Sequence, residues 1–328
     1  FPQDGFYRDP TARANTLRAL DMGVDVVGGI PHFERTMADG AASVRELCEI
    51  AAERVLYAVN GYGAGLDKAI ELAAEADQLD YMPLRAEAWR VRGALEEESG
   101  MYNEADVSLQ KAVFAAEASR HDEEAVRALI LQVRVIGDRL ARHDEALALE
   151  NRLHAALIRL GDNSLRKAEA LNNLGRVYAS QGDYDAAADR QRRAAELGAE
   201  LFPDGNHPFI ANILLDWGSA LENLGQHDEA REHYLRALKI IEDNLGKDHP
   251  DLATPLTNLG SMAIRREDYK TAMTYFERVL GLLDSTVESD HPDKARPLYG
   301  LGVAYEHRGR WRKASSLFKR ALTIWEKA

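Results

Sequence analysis

The chain has 328 residues, of which 45% are hydrophobic and 29% charged, which indicates a large folded core and excludes a disordered chain. Its net charge of −13 argues against a nucleic-acid binder or a membrane-surface protein, because both targets are themselves anionic. A single cysteine, Cys48, excludes an internal disulfide and favours a cytoplasmic location, and no apolar run is long enough to span a membrane.

Residues 1–54 carry a pattern that differs from the rest of the chain. Val24–Ile30 is a β-branched run bounded by glycines, which predicts a strand. It lies between two helical stretches, Thr11–Met22 and Ala41–Val55. This order of elements is typical of α/β architecture.

Three segments of this region resemble the cytosine deaminase branch of the amidohydrolase barrels: Phe1–Gly5, Gly28–Glu34 and Ser43–Arg54. The resemblance implies that Gln3 matches the glutamine with which that family binds a pyrimidine. Such enzymes need a His-x-His pair and further metal ligands, and the sequence contains no His-x-His. We therefore predict no catalytic residue, metal or cofactor, with an amidohydrolase as the disfavoured alternative. Residues 1–60 are interpreted as a fragment fused to another protein, which either repacks as a cap or stays loosely ordered.

A repeat occupies the chain from about residue 61 onward. Small residues recur at intervals of 42 or 43, and three His-Pro pairs keep the same step. Apolar residues along Lys167–Ser180 follow helical spacing, Gly182 breaks the pattern, and Asp183 is placed to cap a second helix. The pattern therefore predicts a helical hairpin repeated at a fixed period, which is the signature of a solenoid.

The residues of each copy resemble the tetratricopeptide repeat. The family's small residue, its alanine and its aromatic residue match Gly93, Gly175, Gly218, Gly260 and Gly302; Ala105, Ala146, Ala187, Ala230, Ala272 and Ala314; and Tyr234, Phe276 and Phe318. The long period resembles that of kinesin light chain. The expected fold is all-α, a right-handed α-solenoid over residues 61–328, with a small N-terminal segment derived from an α/β protein. We count six copies over residues 84–328 and a degenerate hairpin at 61–80, and Arg134 replaces the expected glycine in the second copy.

The alanine-rich stretch Leu66–Gly161 resembles the repeat region that follows the catalytic domain in large bacterial Ser/Thr protein kinases. The sequence has no glycine-rich loop, His-Arg-Asp or Asp-Phe-Gly of its own. The resemblance therefore implies a regulatory or docking region in bacterial signalling, and a protein that is not an enzyme.

The first helices of stacked hairpins line a concave surface in such folds. We expect this surface to bind a protein or peptide partner, because its lining mixes polar and aromatic side chains. The column that clamps a peptide carboxylate in some family members is not reproduced, so that ligand is not predicted. The candidate partner-binding residues are Arg90, Asn172, Arg176, Asn212, Ser219, Asn223, Thr257, Ser261, Arg265, Tyr299 and His307.

The histidines of the His-Pro pairs suggest a metal site, because histidine is a common metal ligand. Histidines on successive loops are expected to lie roughly 10 Å apart, by helix-packing distances, which is too far for them to bind one ion. We predict that they cap loops instead. The last segment, residues 294–328, has nine basic and two acidic residues, so it carries +7 and the remainder carries −13 − 7 = −20. Its final helix is apolar on its outer face. One interpretation is that this basic segment meets an acidic partner. Another is that the apolar face of the final helix stacks on another copy of the chain, as a self-assembly module.

Overall fold

The computed structural model describes residues 62–78, 81–161, 163–284 and 291–327, and every regular element in these ranges is helical. The chain divides into two compact units that meet between Arg166 and Lys167. The predictions for residues 1–60, including the strand, Gln3 and Cys48, concern residues outside those described. The all-α hairpin fold predicted for the repeat is confirmed.

The described helices of the first unit pack on one another in chain order. Its described helices are α1 (Tyr62–Gln78), α2 (Met82–Glu98), α3 (Tyr102–Ala118), α4 (Asp122–Arg134), α5 (His143–Ala148) and α6 (Glu150–Leu160). Residues 62–78 form one continuous helix that packs on α2, where a degenerate hairpin was predicted. Small alanines at the contacts between α2, α3 and α4 let these helices approach closely.

The second unit consists of four hairpins. Its helices are α7 (Ser164–Gln181), α8 (Tyr184–Leu201), α9 (Pro208–Asn223), α10 (His227–Leu245), α11 (Ala253–Arg265), α12 (Tyr269–Asp284), α13 (Ala295–His307) and α14 (Trp311–Lys327). We call the first helix of each hairpin (α7, α9, α11, α13) the A helix and the second the B helix. Helix α7 begins just before the unit boundary. Short 3₁₀ turns, Pro250–Leu252 and Pro292–Lys294, precede α11 and α13.

Each hairpin of the second unit closes on a glycine that faces a large side chain of its partner helix. A Cβ atom added at Gly260 would lie 2.7 Å from Phe276 Cε1, and one at Gly218 would lie 2.6 Å from Tyr234 Cε1. Both aromatic rings are buried, at 1% and 0% exposure. The predicted match between the small and the aromatic positions is thus a direct contact, which no larger residue could make without separating the helices.

Successive hairpins share one core, because each B helix also packs on the next A helix. One cluster joins Ile210 and Leu214 of α9, Ile240 of α10, Leu256 of α11 and Val279 of α12. All five side chains are at most 4% exposed. A repeat of this kind is therefore stabilised by its neighbours as much as by its own hairpin.

The polar residues at the hairpin ends are caps, as predicted. Asp183 accepts a 3.0 Å hydrogen bond from the backbone N–H of Ala186. The Nδ1 atoms of His207, His249 and His291 each accept one from the backbone N–H two residues on, at 3.2, 3.3 and 3.3 Å. Each histidine precedes a proline in the first helical turn, where that residue costs no hydrogen bond.

The second repeat departs from the others at the position where the sequence does. Arg134 occupies the glycine position, and its guanidinium donates a 2.5 Å hydrogen bond to Glu97 Oε2 on α2. A π-helical turn, Val135–Arg139, follows immediately, and the second helix of this hairpin is interrupted at Leu149. The large side chain thus fits because it turns to the neighbouring hairpin, and the helix winding changes beside it.

Candidate partner-binding face

The exposed polar surface of α7, α9 and α11 is the candidate site, and we call it the A-helix face. At its α7 edge, Asn172 Nδ2 donates a 2.9 Å hydrogen bond to Asp216 Oδ2 of α9. Arg176 Nη1 lies 3.6 Å from Asp216 Oδ1. Asp216 therefore binds two of the predicted residues and fixes their side chains across the gap between neighbouring A helices.

The α11 edge is organised by a second carboxylate, that of Glu222. The side chain is 9% exposed and accepts a 2.9 Å hydrogen bond from the Tyr234 hydroxyl. Arg265 Nη1 of α11 lies 2.6 Å from Glu222 Oε1. Burial, together with the negative charge of Glu222, raises the pKa of Tyr234 far above its usual range, so the phenol stays a proton donor.

Three predicted residues on α9 are exposed between these two edges. Asn212, Ser219 and Asn223 follow one another at i, i+7 and i+11, so they share one face of the helix. Asn223 Nδ2 donates to the Ser219 carbonyl within the helix, at 2.8 Å. On α11, Thr257 is 8% exposed, and Ser261 donates its hydroxyl to the Thr257 carbonyl at 2.9 Å. The α9 face is therefore the most accessible part of the candidate site.

The remaining predicted residues lie outside α7, α9 and α11: Arg90 is on α2, and Tyr299 and His307 are on α13. Arg90 belongs to the first unit, where it forms an ion pair with Glu124, a side chain 1% exposed. The His307 ring stacks on Tyr269, with ring centroids 4.4 Å apart. Tyr299 is 49% exposed and packs beside Phe318, 5.4 Å between centroids. Tyr299 thus belongs to the surface of the last hairpin.

Sequence reasoning missed Asp216, and it did not predict that Glu222 pairs with Arg265, although both carboxylates hold predicted residues in place. A signal was present: Arg176 and Asp216 are 40 residues apart, and Glu222 and Arg265 are 43 apart. Separations near the repeat period bring side chains of adjacent A helices together. The face therefore presents its two arginines as neutralised pairs, with amide and hydroxyl groups between them.

The described residues contain no group of three or more histidine, cysteine or acidic side chains able to hold a metal ion. The chemistry of the A-helix face is that of hydrogen bonding and charge pairing. None of the described helices is long and apolar enough to cross a membrane.

The first unit has a separate groove with a cavity volume of about 370 Å³. It contains none of the predicted residues. Lys111 Nζ lies 3.8 Å from the centre of the Trp89 ring, and Asp77 accepts a 3.0 Å hydrogen bond from the Trp89 indole. Phe114 at its rim is 67% exposed. Arg85, Trp89 and Asp77 of this groove are already paired with one another, and Gln110 is paired with Asp106.

Comparison with known proteins identifies the repeat. The family model of the tetratricopeptide repeat matches residues 138–199, 209–285 and 265–327. It does not reach residues 1–54, and the resemblance of that segment to an amidohydrolase is not borne out. No curated protein matches the chain.

Solved structures of repeat proteins are also similar. The crystal structure of a putative kinesin light chain with nearly identical TPR-like repeats from Podosopora anserina is 20% identical and covers 62% of this chain and 95% of its own, with a TM-score of 0.50. BtubC (BKLC) from P. vanneervenii is 20% identical over 81% of this chain and 92% of its own, with a TM-score of 0.47. PilF of Pseudomonas aeruginosa is 17% identical over 74% and 93%, with a TM-score of 0.49. The first of these supports the fold.

Proposed function

Because this chain belongs to the tetratricopeptide repeat family, we propose that it is a noncatalytic scaffold that binds a protein or peptide on the A-helix face of its second unit. Repeats of this family typically act by binding proteins. The observation that carries the proposal is the polar strip on α9, with Asn212 and Ser219 exposed between two inter-helix pairs.

The two edges of the strip support this function by being rigid before the partner arrives. Asp216 is held by Asn172 and Arg176, and Glu222 by Tyr234 and Arg265. Side chains already ordered in the free protein lose little conformational entropy on binding. A partner therefore meets a fixed arrangement of donors and acceptors.

The exposed groups between the edges suit the backbone of a peptide. An asparagine amide both donates and accepts hydrogen bonds, and a serine hydroxyl does the same, so Asn212, Ser219 and Asn223 can pair with peptide N–H and C=O groups. The partner is either an extended segment or a helix that lies along the A-helix face.

We place this binding activity in the cytoplasm, as a docking or regulatory region of a bacterial signalling protein such as a Ser/Thr kinase. The single cysteine and the alanine-rich repeats at Leu66–Gly161 support this setting. Purification from the source cell of the protein that contains this chain would test the kinase setting. A purified protein with no kinase sequence would contradict it.

The function is tested by recovering partners from a lysate of the source cell with three forms of the chain. The first is the wild type, and the second carries Asn212→Arg and Ser219→Arg on the A-helix face. The third carries Ala199→Arg and Thr274→Arg, which add the same charge at exposed positions on B helices. We expect the second form to lose a partner that the other two retain. Equal recovery by all three would contradict the proposal.

A further inference from the structure

The aromatic residues Tyr234, Phe276 and Phe318 occupy the same place in three successive hairpins, 42 residues apart. Phe276 is 1% exposed because Gly260 of its own hairpin and Gly300 of the next A helix both lie against its ring. Tyr234 is 0% exposed. Phe318 has the equivalent glycine of its own hairpin, Gly302, but it is only half-buried.

The half-buried ring lies within an exposed apolar stripe, which we call the terminal stripe. It consists of Trp311, Phe318, Leu322 and Trp325, at i, i+7, i+11 and i+14 of α14. Trp311, Leu322 and Trp325 are 64%, 53% and 50% exposed. Tyr299 of α13 extends the stripe, with its ring centroid 5.7 Å from that of Trp325. The inner side of α14 packs on α13 separately, through Ala321 and Ile324.

Helix α14 occupies the place of the earlier B helices of the unit, each of which packs on the next A helix. Tyr269 and Phe276 of α12, which lie 42 residues before Trp311 and Phe318, contact His307 and Gly300 of α13. Helix α8 packs on α9, α10 on α11, and α12 on α13. Within the described residues no helix occupies this position on α14. Three large exposed apolar side chains on one helical stripe indicate an interaction surface.

The charge of α14 indicates which kind of helix could cover the terminal stripe. Helix α14 has five basic residues and one acidic residue, which gives +5 − 1 = +4; they are Arg312, Lys313, Lys319, Arg320, Lys327 and Glu326. Arg312 and Lys319 are exposed beside the stripe. Two terminal stripes placed face to face would bring like charges together, which opposes a symmetric dimer. An acidic helix would complement the same charges.

We propose that the terminal stripe docks an acidic amphipathic helix of a partner protein, which packs on α14 as α13 packs on α12. This helix carries a small residue against Phe318, in the place that Gly300 takes against Phe276. Acidic residues on its rim face Arg312 and Lys319. This is a second binding surface, made of residues separate from the polar strip on α9.

The test uses stapled helical peptides with the sequence of α13, Ala295–His307, and the full chain. The acidic peptide carries Arg296→Glu, Tyr305→Glu and His307→Glu, since Tyr305 contacts Glu277 and His307 contacts Tyr269 on α12, 42 residues before Lys319 and Trp311. A basic control carries lysine at the same three positions. A third peptide adds Gly300→Leu to the acidic one. We expect the acidic peptide to bind and to shift the tryptophan emission to the blue, with both controls about tenfold weaker or worse.

Variants of the chain show where the peptide binds. Leu322→Ser and Trp325→Ser should each weaken binding of the acidic peptide about tenfold, because they remove exposed anchors without opening the core. Ile158→Ser, at a position 66% exposed in the first unit, should leave it unchanged. Circular dichroism checks that all three variants fold.

Several outcomes would overturn the proposal. One is failure of the acidic peptide to bind, and another is equal binding of the acidic and basic peptides. A third is binding that Leu322→Ser leaves intact. If sedimentation velocity shows the chain self-associating through the terminal stripe, and the acidic peptide does not dissociate it, then a second copy is the occupant and the proposal is wrong.

Discussion

The Tyr234 hydroxyl donates a hydrogen bond of 2.9 Å to Glu222, whose other oxygen lies 2.6 Å from an Arg265 nitrogen. Three helices meet at this carboxylate: α9 provides Glu222, α10 provides Tyr234 and α11 provides Arg265. The same tyrosine ring lies against Gly218 in the hairpin core. One residue thus joins the packing of the repeat to the polar chemistry of its A-helix face.

Replacing Tyr234 by phenylalanine keeps the ring against Gly218 and removes the hydrogen bond to Glu222. We expect the free energy of unfolding to fall by about 1.5–3 kcal/mol, the range for a buried hydrogen bond to a charged group. Tyr305→Phe is the matched control, because its hydroxyl donates a longer bond of 3.3 Å to the exposed Glu277. Urea unfolding measures both, and equal losses would show that burial of Glu222 adds nothing.

The glycine contacts predict opposite effects for one substitution at two positions. Gly260→Ala places a Cβ atom 2.7 Å from Phe276 Cε1, so we expect a loss of about 1–3 kcal/mol from overpacking. A Cβ atom at Gly281, in α12, meets nothing within 4 Å. Gly281→Ala should stabilise the chain by up to about 1 kcal/mol, because alanine favours the helix.

Thermal unfolding of both glycine variants gives the comparison. Destabilisation by Gly281→Ala, or none by Gly260→Ala, would contradict this account of the hairpin contact.

The Arg134–Glu97 pair explains how the second repeat packs with an arginine at the position of its glycine. Arg134→Ala leaves Glu97, a side chain 3% exposed, with only Arg139 at 3.4 Å, so we expect a loss of about 1.5–3 kcal/mol. Arg192→Ala makes the same chemical change in an exposed pair with Glu196, where solvent screens the charges, so we expect a much smaller loss there. Chemical denaturation of each variant decides the point. A loss at Arg134 no larger than at Arg192 would rule out a structural role for the pair.

His233 makes part of the stability dependent on pH. Burial lowers the pKa of His233, whose ring stacks on Trp217 with centroids 4.2 Å apart. Because the unfolded chain then binds the proton more readily than the folded one, stability is complete above the unfolded pKa, about 6.5, and falls as pH drops below it. His233→Gln should therefore lose less stability than the wild type between about pH 7.5 and pH 5.5.

Melting temperatures at the two pH values provide the measurement for His233. His227→Gln serves as control, because His227 is an exposed residue at the start of the same helix. A wild type and a His233→Gln variant with the same pH dependence would refute the assignment.

The sequence predicted the parts of this fold that repeat. Local patterns that recur with each hairpin predict the length of the repeat, its capping histidines and its glycine–aromatic contacts. The contact between Gly260 and Phe276 is an example. The pairing of charged side chains was not predictable in the same way. Asp216 and Glu222 meet Arg176 and Arg265 only because adjacent A helices lie side by side, and the sequence offers several carboxylates near each arginine.

The departures from the repeat were predictable in position but not in form. Arg134 indicated from the sequence that the second copy is unusual. The π-helical turn beside it could not be predicted, because it depends on which carboxylate the guanidinium pairs with, here that of Glu97. Tyr299 was predicted on the partner-binding surface and is 49% exposed on the A helix α13, where its ring packs with Phe318 and Trp325. In each case the outcome depends on contacts with another helix.

The most direct measurement of the central claim is calorimetric titration of a recovered partner against three forms of the chain. These are the wild type, the A-helix variant with Asn212→Arg and Ser219→Arg, and the B-helix control with Ala199→Arg and Thr274→Arg. The account predicts that the A-helix variant binds at least about tenfold more weakly, while the control stays within about twofold of the wild type. Unchanged affinity of the A-helix variant would contradict it.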